Sequence, residues 1–275
     1  MSAKQLNSKQ DQEAGMTKPL EREINLARNI QMTLLNGQTP SLDSGEVKGV
    51  SIPARLIGGD YYDFYPLLNG KMRIVIGDVM GKGIPAAMLM ILTRGAFRSA
   101  AESTIGPGET LTAMNNAICN DLRALKSFVT VFCADWDPKT NTLTYANAGH
   151  NLPLIFQGKT IQELPKLTGV MLGGLPNQQY TAKEIHLKEK DFVFFYTDGI
   201  VEAQNETGIQ YQKDRLIQIL LEHKEENVEQ IEKAVIDSIN QFTEGVTQKD
   251  DITMVTLKIC NKQLKISSYN SPIIT

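Results

Sequence analysis

Residues 128–149 read FVTVFCADWDPKTNTLTYANAG, two runs of β-branched and aromatic residues on either side of the segment PKTN. Val, Thr, Phe and Tyr suit a pleated surface, and Pro and Asn favour a turn, so the stretch predicts a β-hairpin. Four intervening residues leave no room for a crossover helix, which makes the pairing antiparallel. Working outward, the strand signature recurs at VKGVSIPA (47–54), KMRIVIGDV (71–79), LPLIFQ (152–157), DFVFFYTD (191–198) and DITMVTLKI (251–259). Helical stretches come in pairs: residues 84–103 with 109–126, and 214–224 with 228–242. Strands and helix pairs without strict alternation predict an α+β fold, antiparallel sheets covered by helices, over a doubly wound parallel sheet.

The flanks read differently. Residues 1–18 are rich in Gln, Lys and Ser and predict a disordered tail, and residues 261–275 a second tail. Between them, 19–46 predicts a helix and linker. Pro19 opens the helix, Leu20, Ile24, Ala27, Ile30 and Leu34 form one stripe, and Gly37 and Pro40 close it. Such a stripe packs on the domain's own core, on a second copy or on a regulatory partner. No linker divides residues 47–260, which are expected to be one catalytic domain.

Composition narrows the function. With 28 basic and 31 acidic residues the formal net charge is -3, no basis for nucleic acid or an anionic membrane as partner. Cys119, Cys133 and Cys260 form no CxxC pair, which disfavours a disulfide framework or a zinc knuckle and suits a reducing cytoplasm. The N-terminus lacks the apolar core of a signal peptide, and IPAAMLMIL (84–92) is too short to span a bilayer.

The chemistry lies in aspartates placed where strands end. IGGDYYDF sets Asp60 after two glycines, VIGDVMGKG sets Asp78 at the end of an apolar strand, FVFFYTDGI does the same with Asp198, and KDDITMVTL opens a strand with Asp250 and Asp251. A single Asp–Gly at a strand end is ordinarily a turn or cap residue. Four such sites, each abutting an apolar strand, point to carboxylates converging on a cation, because buried carboxylates need compensation. An all-oxygen set selects Mg²⁺ or Mn²⁺ over zinc, and two such ions suit hydrolysis of a phosphate ester by in-line attack. Gly77 and Gly81 are too close for a Walker A loop, and Lys82 is followed by Gly83 in place of Ser or Thr. No GxSxG elbow presents a serine. His150, in NAGHNLP, reads as structural and Cys133 as core.

In order and spacing, GGDYYDF, GDVMGKGIPAAMLM, FVTVFCADWD, ANAGHNLPL, YTDGIVEAQN and DDITMVTL resemble the bacterial PPM-type serine/threonine phosphatases of the RsbU/SpoIIE kind, from about residue 20 to 260. The resemblance implies a four-layer α-β-β-α sandwich, two Mn²⁺ or Mg²⁺ ions at one end, and hydrolysis of phosphoserine or phosphothreonine without a phosphoenzyme. On this resemblance Asp78 bridges both ions, the Val79 carbonyl is a further ligand, Asp198 and Asp250 hold the second ion, and Asp60 binds or orients water. Asp251 remains the alternative to Asp250. Arg55 and Lys82 are candidate phosphate contacts, Arg55 alternatively a solvated residue on a strand edge, and Glu202 is expected to cap or brace its loop. The implied substrate is a phosphorylated STAS-domain anti-sigma-factor antagonist. With about 45 residues ahead of Val47, a helix that pairs with its copy or answers to a separate protein is expected in place of a sensor domain. The competing readings are a pseudophosphatase binding module and a small-molecule phosphoesterase.

Overall fold

The structure, a computed structural model, describes residues 19, 21–35, 40, 42, 44–158, 160–162, 164–165 and 169–260. The expected tails at 1–18 and 261–275 lie outside the described residues. Residues 21–35 form helix α1. Among the described residues ten strands follow, interleaved with five further α-helices and a 3-10 turn at Leu68–Gly70: β1 (Gly45–Ile52), β2 (Tyr61–Pro66), β3 (Met72–Val79), α2 (Ile84–Ser103), α3 (Pro107–Ala124), β4 (Val129–Asp137), β5 (Thr142–Ala148), β6 (Leu154–Gln157), β7 (Thr160–Gln162), β8 (Lys183–His186), β9 (Phe192–Tyr196), α4 (Asp198–Val201), α5 (Gln212–Glu222), α6 (Val228–Phe242) and β10 (Ile252–Ile259).

The strands form two five-stranded sheets, ordered β1-β10-β9-β6-β7 and β2-β3-β4-β5-β8, with every ladder antiparallel. The hairpin of residues 128–149 is the β4–β5 pair, in which Cys133 faces Ala146 and Trp136 faces Leu143. Alternation along each strand then builds the layers. From β3 and β4, Ile74, Ile76, Phe132 and Trp136 meet Phe195, Val255 and Leu257 of the other sheet. Their neighbours Val75, Val79, Val131 and Cys133 point outward, under Met90 and Phe97 of α2 and Met114 and Ile118 of α3. On the far side Phe194, Ile252 and Met254 pack beneath Leu216 and Leu220 of α5 and Ile231, Val235 and Ile239 of α6. Both faces of each sheet are covered, which is why these strands read as near-continuous apolar runs. The result is the α-β-β-α sandwich.

Two polar groups inside these layers are matched in place. Arg73 on β3 stands opposite Asp135 on β4 and binds it with two bonds of 2.6 and 2.7 Å. Such a bidentate pair suits a guanidinium with no access to water. At the chain's start, Gln31 of α1 is buried and holds the Gly58 backbone at both its amide and its carbonyl, while Leu35 enters the core under α2. The opposite side of α1 exposes Leu26 and Ile30.

Candidate metal and phosphate site

One end of the sandwich gathers the aspartates. β3 runs Asp78 to its last turn of pleat, in register with Thr130, and the chain then reverses through Gly81 and Gly83, both at positive φ, into α2. Pro85 in the first turn of α2 costs nothing there, since its missing N–H has no intrahelical partner anyway. Asp198 leaves β9 and opens the one-turn helix α4, its carbonyl accepting from the Glu202 amide. Asp250 precedes β10. Asp78, Val79, Lys82, Asp198 and Asp250 line a common cavity of about 220 Å³, together with Thr130, His150 and Asn151. Asp60 is buried beside Asp78, and Thr197 donates a 2.8 Å hydrogen bond to its carboxylate.

The electrostatics follow from this crowding. Burial, then the Asp198, Asp250 and Asp251 carboxylates, raises Asp78 from 3.8 to about 7. Asp60 is pushed well above the usual carboxylate range by burial and then by Asp78. Asp198 is raised by burial and by Asp250, and Glu202, close by, by partial burial and by both of these aspartates. Carboxylates so placed repel one another until a cation arrives. The cation present among these side chains is Lys82, whose Nζ binds Asp250 at 2.7 Å and the Lys249 carbonyl at 2.5 Å. Among the described residues no three acidic, His or Cys side chains surround one ion-sized point. Asp250 is drawn to Lys82, Asp60 is held by Thr197, and Asp251 is spent elsewhere.

Asp251, the alternative to Asp250, makes its hydrogen bonds away from the cavity. Its carboxylate accepts the Ala54 and Gly59 amides, each at 2.7 Å, and the Asp60 amide at 3.4 Å. It is therefore a buried brace for the loop carrying Arg55 and Asp60, with its lone pairs directed at backbone rather than at the cavity. The glycine pair before Asp60 serves that brace. A Cβ on Gly58 would stand 2.3 Å from the Asp251 carboxylate, and one on Gly59 would crowd Ala86 and the Val79 carbonyl. Gly199 has a matching role, because a Cβ there would meet the Asp251 carbonyl at 1.9 Å.

Arg55 is exposed and lies against Gly83, at the mouth of the turn that carries Lys82; among the described residues it has no ion-pair partner. His150 is embedded as expected, its backbone amide and carbonyl tied to the Asn147 side chain and its Nδ1 2.9 Å from the Thr130 hydroxyl. Burial lowers it to about 4, so it is neutral at pH 7. Its place in the cavity wall, with Thr130, was not foreseen from sequence; the strand-end pattern NAGHN offered the signal.

The model of the family described as stage II sporulation protein E (SpoIIE) matches residues 69–259, more than half of the chain. The chain belongs to the SpoIIE family. Within those residues fall Asp78, Lys82, Asp198 and Asp250, whereas Arg55 and Asp60 precede them. Phosphoserine phosphatase RsbU of Bacillus subtilis (strain 168) is 30% identical over 246 residues, covering 89% of this chain and 72% of RsbU. Among solved structures, the SiaA-PP2C domain of Pseudomonas aeruginosa superposes with a TM-score of 0.77 at 21% identity, over 90% of this chain and 99% of that domain. RsbX in complex with magnesium gives 0.61 at 16% identity, over 81% and 98%. This SpoIIE-family chain thus has the fold of PP2C-type phosphatase domains, as its motifs imply.

Proposed function

We propose that this chain is a metal-dependent protein serine/threonine phosphatase acting on a phosphorylated STAS-domain protein in the cytoplasm. The observation that carries the reading is the cavity lined by Asp78, Asp198 and Asp250, in which burial and then mutual repulsion raise Asp78 to about 7. That donor set, all oxygen and already neutralised at one carboxylate by an ammonium, fits a pair of hard divalent cations, Mn²⁺ or Mg²⁺. Asp78, Asp198 and Asp250 would hold them with the Val79 carbonyl, and Asp250 has to leave Lys82 to do so. When bound, the pair supplies a water-derived nucleophile at neutral pH and offsets the phosphoryl charge.

The chain's own groups do the rest. Asp60, fixed by Thr197, offers a hydrogen-bond acceptor that orients water beside Asp78. Lys82 and Arg55 flank the turn before α2 and supply cations for the phosphate oxygens. The similarity to RsbU, a phosphoserine phosphatase, supports phosphoserine as the group hydrolysed, and the motif resemblance supports the STAS substrate. A panel of phosphorylated STAS proteins incubated with the enzyme and Mn²⁺ tests both: phosphate release from at least one is expected. Release from none, with a free phosphoserine ester cleaved well, refutes the protein substrate.

The exposed Leu26 and Ile30 support self-association through α1. Light scattering is expected to give a dimer mass that falls to monomer when residues 1–45 are deleted; an unchanged mass contradicts it.

A further inference from the structure

A second cavity, of about 290 Å³, adjoins the first and shares Lys82 and Asp250 with it. Its floor is apolar, Ile239 at the end of α6 and Ile252 at the start of β10, with Val246 alongside. Lys249 stands exposed at its rim, where its ammonium meets the neutral Gln204 amide oxygen at 2.6 Å; among the described residues no carboxylate lies within bonding distance of it, Glu202 lining the same cavity elsewhere. The wall between rim and floor is held in place by Gln248, whose amide donates to the Ile52 and Asp250 carbonyls at 2.9 and 2.7 Å. The volume is at the lower limit of ligand pockets and suits one or two side chains rather than a cofactor.

We infer that this cavity is a substrate subsite that receives the residue flanking the phosphoserine, preferring a glutamate-like side chain with its stem on Ile239 and Ile252 and its carboxylate at Lys249. The inference rests on the phosphatase reading, since it is the phosphate in the first cavity that brings the neighbouring residue over the shared Lys82–Asp250 wall. Apart from the shared Lys82 and Asp250, its lining takes no part in the metal chemistry, so it adds selectivity rather than turnover. Binding there acts on KM.

Synthetic phosphoserine peptides carrying Glu, Ala or Lys at the positions on either side of the phosphoserine, assayed with Mn²⁺ beside p-nitrophenyl phosphate, test the inference. Wild-type protein is expected to favour the best Glu peptide over its Ala counterpart by about fivefold in kcat/KM, expressed in KM, the ceiling for one solvent-exposed ion pair. In Lys249→Glu the order should invert towards the Lys peptide, and in Val246→Trp, which fills the cavity, the three peptides should become equivalent. Equal rates on all peptides in the wild type, or an unchanged order in Lys249→Glu, overturn the subsite. Hydrolysis of p-nitrophenyl phosphate without any peptide turnover overturns it too, because recognition then lies elsewhere. If neither class is hydrolysed, the phosphatase reading itself falls and takes the subsite with it.

Discussion

Replacing Asp78 with Asn should stabilise the metal-free protein while destroying its response to metal. Asp78 titrates near 7 in the fold against 3.8 as a free side chain, burial being the main cause and Asp198 the next. The sign follows from linkage. A carboxyl raised on folding is harder to ionise in the native state, so its contribution is most favourable below pH 4, declines as pH climbs towards 7, and is flat above. Each pK unit is about 1.4 kcal/mol, so the shift sets a ceiling near 4 kcal/mol at pH 7; allowing for the water that reaches this half-buried group, about 2–4 kcal/mol is expected. Asn keeps the shape and removes the charge. For a chain of this size that gain corresponds to a Tm rise of roughly 5–10 °C. Thermal unfolding in EDTA should show the rise at pH 7 and a clearly smaller one at pH 5. Mn²⁺ should then raise the Tm of wild type but not of Asp78→Asn, because binding to the native state alone stabilises it. An Asp78→Asn protein no more stable than wild type in EDTA at pH 7, or a gain that does not shrink at pH 5, refutes the crowding argument.

Two further perturbations probe groups outside the cavity. Glu232 on α6 is buried against Thr256, with Lys48 and Glu229 near, and burial raises it from 4.5 to about 8. Folding therefore takes up a proton at pH 7, and Glu232→Gln should stabilise by up to about 3 kcal/mol there and by little at pH 4.5, as chemical denaturation at the two pH values will show. Asp251→Ala should cost about 2–4 kcal/mol by leaving the part-buried Ala54 and buried Gly59 amides without an acceptor, whereas Asp251→Asn should retain part of that; equal stability of all three proteins in urea titrations contradicts the brace.

The central strands were legible because the strands are buried on both faces and carry unbroken apolar signal. β2 was not: YYDFYP contains Asp63 and Pro66, poor strand residues, and Asp63 is tolerated because Arg98 and Arg94 of α2 neutralise it from another element. β7 and β8, TIQ and KEIH, are short, largely exposed strands at the sheet edges, with no alternation to read. α4 is a single turn that sequence folded into the end of β9. For the site, the aspartates announced themselves by sitting beside apolar runs. Which of Asp250 and Asp251 faces the cavity could not be read locally. Adjacent residues of an extended chain point opposite ways, and the choice is made by a loop around Gly59, almost two hundred residues away in sequence. The pairing of Lys82 with Asp250 likewise joins segments that nothing in either one connects.

A metal-dependent phosphatase centre at Asp78, Asp198 and Asp250 is tested by inorganic phosphate release from a phosphoserine protein by wild type and Asp198→Asn, with Mn²⁺ and with EDTA. Release by the wild type in Mn²⁺ alone is expected, with a loss of at least about a hundredfold in Asp198→Asn, the scale on which a preorganised charge-stabilising group acts. Release that persists in EDTA, or that Asp198→Asn leaves unchanged, would contradict it.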